Sequence, residues 1–71
     1  MVAYFGGKGP AVADAEVLTI PRERNETLYA RYGVKDTATY VFRPDGHVLA
    51  RCPGIDGEFA ARAVRRVPWS R

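Results

Sequence analysis

Apolar positions in this chain fall into short runs, and their spacing switches between strand-like and helix-like along its length. Ala15-Glu16-Val17-Leu18-Thr19-Ile20 ends in a β-branched apolar run, which Pro21 closes because proline donates no ladder hydrogen bond. This predicts a strand over 16–20, and its near-continuous apolar character suits a buried strand. Asn25 then offers an N-cap and Glu26 a first-turn negative charge, while Leu28, Tyr29 and Tyr32 share one face at helical spacing. Gly33 suits the left-handed position that ends a helix, so a helix is expected over 26–32. At that length it forms only if it packs on something else.

Thr39 to Arg43 is rich in Thr, Tyr, Val and Phe and predicts the next strand, 39–43. Pro44-Asp45-Gly46 supplies a preset φ, a turn-forming carboxylate and a residue free to take positive φ, which makes a three-residue hairpin loop. The return strand is expected over 47–51. The loop sets the register as Arg43 opposite His47, Phe42 opposite Val48 and Val41 opposite Leu49. One face of the hairpin then carries Tyr40, Phe42, Val48 and Ala50. The other carries Val41 and Leu49, flanked by Thr39, Arg43, His47 and Arg51. Both faces are partly apolar, so the hairpin is expected to be covered on both sides.

Cys52-Pro53-Gly54 breaks the strand and Asp56 caps a last helix, 56–67. Phe59, Ala60, Ala63, Val64 and Val67 form its apolar stripe, and Pro68 ends it. Gly6, Gly7, Gly9 and Pro10 make residues 1–14 read as a flexible leader, with at most a short edge strand at Val2–Phe5. Residues 15–68 form the structured segment and 69–71 a tail. The expected fold class is α/β, in the order β-α-β-β-α.

With 71 residues the chain is one domain or less, and a fold of this size is marginal unless stapled or docked. Its one cysteine, Cys52, closes no internal disulfide, which favours a reducing, cytoplasmic setting. The N-terminus has neither a basic region nor a long apolar run of the secretory kind, and no segment reaches the ~20 apolar residues of a membrane span. The net charge of +3 is spread out and no like-charge run is long. A nucleic-acid surface built on Arg62, Arg65, Arg66 and Arg71 is therefore the lesser reading beside an ordinary solvated face.

The residues offer no catalytic set. A redox protein of the thioredoxin kind needs a Cys-x-x-Cys pair at a helix start, and only Cys52 is present. His47 is the single histidine, which rules out a multi-histidine metal site. It could act as a base oriented by Asp45, but a hairpin position facing Arg43 accounts for it as well. Gly6-Gly7-Lys8-Gly9 lacks the spacing of phosphate and dinucleotide loops. No catalytic, cofactor or metal residue is assigned. The candidate contact residues are Tyr40, Phe42 and Val48 on one hairpin face, and Arg43, His47 and Arg51 on the other.

Leu28-Tyr29-Ala30-Arg31-Tyr32-Gly33, followed by Ala38 to Arg51 with its Arg43-Pro44-Asp45-Gly46-His47-Val48 run, resembles the C-terminal segment of FAD-dependent aromatic-ring hydroxylases. These are the phenol and 3-(3-hydroxyphenyl)propionate hydroxylase group of flavoprotein monooxygenases. The resemblance covers residues 15–67 and implies a partial thioredoxin-like fold without redox cysteines. It also implies a parent enzyme that binds FAD through an N-terminal Rossmann-like domain lying outside this chain. No family catalytic residue maps onto any position here, and the first strand and helix of the thioredoxin-like domain are missing or replaced by residues 1–14. The implied role is a non-catalytic segment, a fragment or truncated product, that packs on the rest of a hydroxylase or makes subunit contacts. The alternative is a stand-alone interaction module, such as a homodimer.

Overall fold

A computed structural model of the chain describes residues 1–65. It is a small α/β domain with a four-stranded mixed sheet and two helices. The elements in chain order are β1 (Val2–Phe5), β2 (Val17–Ile20), α1 (Glu26–Tyr32), β3 (Ala38–Phe42), β4 (Val48–Pro53) and α2 (Gly57–Arg65). The strand order is β2-β1-β3-β4, with β1 parallel to β2 and the other pairs antiparallel. The two helices and the three strands expected from residue 16 onward are present, within two residues of their expected bounds wherever those bounds lie among the described residues. Val67 and Pro68, which the sequence reading placed at the end of the last helix, lie outside the described residues, as do Arg66 and the 69–71 tail.

Residues 1–14 are not a flexible leader. Val2–Phe5 is a central strand, and all four of its residues are buried. Val-Ala-Tyr-Phe is apolar on both faces, which suits a strand with Val2 and Tyr4 packed under α2 and Ala3 and Phe5 under α1. The strand read as buried, β2, is instead the edge, with Leu18 and Thr19 exposed. The glycine-rich stretch after β1 is a crossover. Residues 6–16 carry the chain from β1 to its parallel neighbour, the job that a helix usually does.

That crossover helps to cover one face of the sheet. Val12 joins Val2, Tyr4, Val41, Ala60, Ala63 and Val64 in a cluster roofed by α2. Three contacts pin the crossover down. Tyr4 Oη donates to the Pro10 carbonyl at 2.8 Å, Gly9 lies flat on the Tyr4 ring, and Gly57 leaves room for the Pro10 ring. A side chain at Gly9 would meet the ring carbons at 2.5–2.7 Å. Asp56 caps α2 as expected, its carboxylate accepting from the Phe59 N–H at 2.9 Å.

Burial, and to a lesser degree the carboxylate of Asp56, raises the Tyr4 pKa above its ordinary 10.0. The unfolded chain therefore loses this proton first. The stability linked to it is complete below pH 10 and declines as the pH rises through the folded-state pKa. Tyr4→Phe is expected to cost about 1 kcal/mol at neutral pH through the lost hydrogen bond. It is also expected to flatten the alkaline loss of stability, as read from urea midpoints between about pH 8 and 11.

The opposite face carries Ala3, Phe5, Tyr29, Val34, Ala38 and Tyr40, with Ile20, Leu28, Tyr32 and Phe42 packed around them. It is covered by α1. Gly33 ends this helix at φ 69° as expected, and the Val34 N–H returns to the Tyr29 carbonyl at 2.9 Å. Asn25 makes no side-chain cap. Its amide donates back to the Pro21 and Glu23 carbonyls and shapes the turn before the helix. Both hairpin faces are thus packed against elements of this same chain, but on the α1 face Phe42 is only half-buried and Val48 is exposed.

Candidate functional site

The hairpin carries every residue singled out for contact, so its register decides which of them act together. Arg43 N–H donates to the His47 carbonyl at 2.8 Å, Gly46 sits at φ 93°, and Phe42 pairs with Val48, all as the loop chemistry implies. Beyond that point the register shifts. Val41 pairs with Ala50 rather than Leu49, because a β-bulge between Val41 and Phe42 leaves one extra residue on β4. Leu49 and Ala50 both pack toward α2. Arg51 then falls opposite Tyr40, on the α1 face. This corrects the expected placement of Ala50 with Tyr40, and of Arg51 with Arg43 and His47.

The six residues separate into three groups, with Arg51 beside Tyr40. Tyr40 belongs to the core at 4% exposure, and its hydroxyl donates to the Tyr32 carbonyl at 2.7 Å. Its ring stacks on Phe42 with centroids 6.0 Å apart and meets Phe5 and Tyr32 edge-on. Phe42 is half-buried and Val48, opposite it, is exposed. Arg43 and His47 stand at the turn tip around Asp45.

At the tip Asp45 accepts from the His47 backbone N–H at 3.1 Å, and its carboxylate lies 3.2 Å from His47 Nδ1 and 3.6 Å from Arg43. The backbone N–H of His47 does most to lower the Asp45 pKa, helped by the imidazole and by the Arg43 guanidinium. The His47 side chain is 80% exposed, so water screens the pair. The arrangement orders the turn.

Among the described residues, two open clefts lie on the α1 face with Tyr32 as the wall between them. One, of about 610 Å³, is lined by Tyr32, Lys35, Tyr40, Arg51, Cys52 and Gly54. Burial, with a smaller contribution from Asp56, raises the pKa of the Cys52 thiol, which keeps it protonated and a poor nucleophile at neutral pH. The other, of about 620 Å³, is an apolar groove lined by Ala3, Phe5, Ile20, Leu28, Tyr32 and Phe42, with Glu16 and Arg43 at its rim. It exists because α1 has only seven residues and stops short of covering the sheet.

Sequence reasoning missed Leu18 as a surface residue, because it placed β2 inside the sheet. The signal that could have corrected this was the length of 6–16, sufficient for a crossover between parallel strands. Among the described residues no cluster of His, Cys, Asp and Glu could hold a metal ion, and no helix is long and apolar enough to cross a membrane. Comparison with known proteins gives no matching family model, no matching curated protein and no matching solved structure.

Proposed function

We propose that this chain is the non-catalytic, thioredoxin-like C-terminal segment of an FAD-dependent aromatic-ring hydroxylase, serving packing or subunit contacts. The observation that supports this reading best is the Arg43-to-Val48 run, which closes the β3–β4 hairpin through Asp45, His47 and Gly46. The run stands within a β-α-β-β-α order from Val17 to Arg65, the order expected of the second part of a thioredoxin fold. The apolar groove beside α1 gives such a segment a surface to pack with. FAD itself belongs to the parent enzyme, and no residue of this chain is assigned to it.

Two measurements test the reading. Titration of the chain with FAD, followed by flavin fluorescence, is expected to show no stoichiometric binding; stoichiometric binding would overturn the assignment. A hydroxylase of this group cut back to remove its own C-terminal segment is expected to associate with the chain and to melt at a higher temperature in its presence. An unchanged melting temperature with no co-migration would count against the structural role.

A further inference from the structure

β2 is a sheet edge whose side chains form a self-complementary row. Val2 N–H donates to the Glu16 carbonyl and Gly6 N–H to the Ile20 carbonyl. In a parallel pair this turns the backbone groups of residues 16, 18 and 20 toward β1, and those of Val17 and Thr19 outward. The other edge, β4, is blunted by its bulge, by Arg51 and by Pro53. β2 carries no such device before Pro21.

The α1 face of this strand and of its flanking residues, Glu16 and Arg22, is set by three contacts. Ile20 packs with the aromatic cluster, Glu16 lines the apolar groove, and Arg22 lies over the Tyr29 ring at 4.6 Å. Arg22 also donates to the Lys35 carbonyl, which holds the guanidinium in place. The period of two puts Leu18, 41% exposed, in the same row. The row reads Glu16, Leu18, Ile20, Arg22: acid, apolar, apolar, base.

We propose that two copies of the chain pair antiparallel through their β2 edges, on a two-fold axis at Thr19, to form one sheet across the dimer. Thr19, whose N–H and C=O point outward, exchanges both hydrogen bonds with Thr19 of the partner subunit. Val17 N–H donates to the carbonyl of Pro21 of the partner subunit, a group that proline retains. In the same register Glu16 meets Arg22 of the partner subunit, and Leu18 meets Ile20 of the partner subunit. Backbone direction, charge and apolar exposure all select this one alignment. A parallel pairing of two such edges would need an odd offset, because residues 17 and 19 of both strands point outward, and so offers no symmetric register. The inference goes beyond the function proposed above and does not depend on it.

The test is sedimentation equilibrium of the full chain with charge-reversed variants. The wild type is expected to dimerise. Glu16→Arg and Arg22→Glu should each weaken the dimer about tenfold, because each puts like charges opposite each other twice. An equimolar mixture of the two variants should recover wild-type association as a heterodimer. In that heterodimer one chain is basic at both positions 16 and 22 and the other is acidic at both, so each facing pair is again of opposite charge. Leu18→Gln, at an exposed position, should weaken the dimer in the same way and keeps the test valid if Arg22→Glu disturbs the Tyr29 stack. A wild type that stays monomeric to about 1 mM would overturn the proposal. So would a dimer that these variants leave unchanged, or a mixture of folded variants that fails to recover.

Discussion

Phe5→Ala is expected to leave the chain largely unfolded at about 25 °C. Phe5 is fully buried in the central strand, and its ring touches Tyr29, Tyr32 and Tyr40 at centroid distances of 5.2, 5.8 and 5.3 Å. Removing a buried phenylalanine costs about 3–5 kcal/mol. A single core in a chain this short rarely supplies more than about 3–5 kcal/mol in all. The two quantities are equal in size, so the substitution consumes the margin. Far-ultraviolet circular dichroism and a urea titration read the outcome directly. Phe5→Leu, which keeps most of the apolar volume, is expected to retain a cooperative transition at a lower midpoint.

Gly6→Ala is the second large effect, and it acts through the backbone. Gly6 ends β1 at φ 87°, a region that a side chain disfavours, at about 1–2 kcal/mol. A methyl there would also collide with the Asp36 carbonyl oxygen and come within 3.1 Å of Thr37 Cγ2. The carbonyl belongs to the segment that leads into β3, so relief requires the β1–β3 junction to shift. Overpacking of this kind costs about another 1–3 kcal/mol. The summed loss of roughly 2–5 kcal/mol should bring the urea midpoint close to zero. By contrast, alanine at Gly33, also at positive φ but with nothing within 4 Å, should show only the conformational part.

Local signals were legible where they act over a few residues. The Pro44-Asp45-Gly46 loop, the Gly33 stop and the Asp56 cap each depend on one or two side chains hydrogen-bonding or turning within their own segment, and all three are present. Phe59, Ala60, Ala63 and Val64 correctly marked the inner face of α2. What could not be read was which strand lies beside which. Val2–Phe5 and Val17–Ile20 are both four-residue apolar strands, and nothing local says that the first is central and the second an edge. That follows from a long-range pairing, Ala3 with both Leu18 and Tyr40, bridged by a crossover without a helical period. The bulge at Leu49 was hidden for the same reason. Leu49 and Ala50 both belong to the α2 face because of how β4 meets β3, and no residue type announces it.

The central position of β1 and the bulge in β4 decide the candidate surface. With β1 at the centre, Tyr40 is a core residue, Leu18 and Val48 are exposed, and Ile20, Leu28 and Phe42 are half-buried along the groove. With the bulge in place, Arg51 joins Tyr32 and Lys35 around a cleft instead of standing with His47. The proposed contact surface is therefore the α1 face and the β2 edge beside it, more than the hairpin tip.

The position of the first strand is the claim on which the rest depends, and backbone nuclear Overhauser effects measure it most directly. The account predicts that Ala3 shows cross-strand contacts to Tyr40 on one side and Leu18 on the other, and that the Tyr4 amide is among the slowest to exchange with solvent. Residues 2–5 with narrow, random-coil signals, fast exchange and no contact to either neighbour would contradict it.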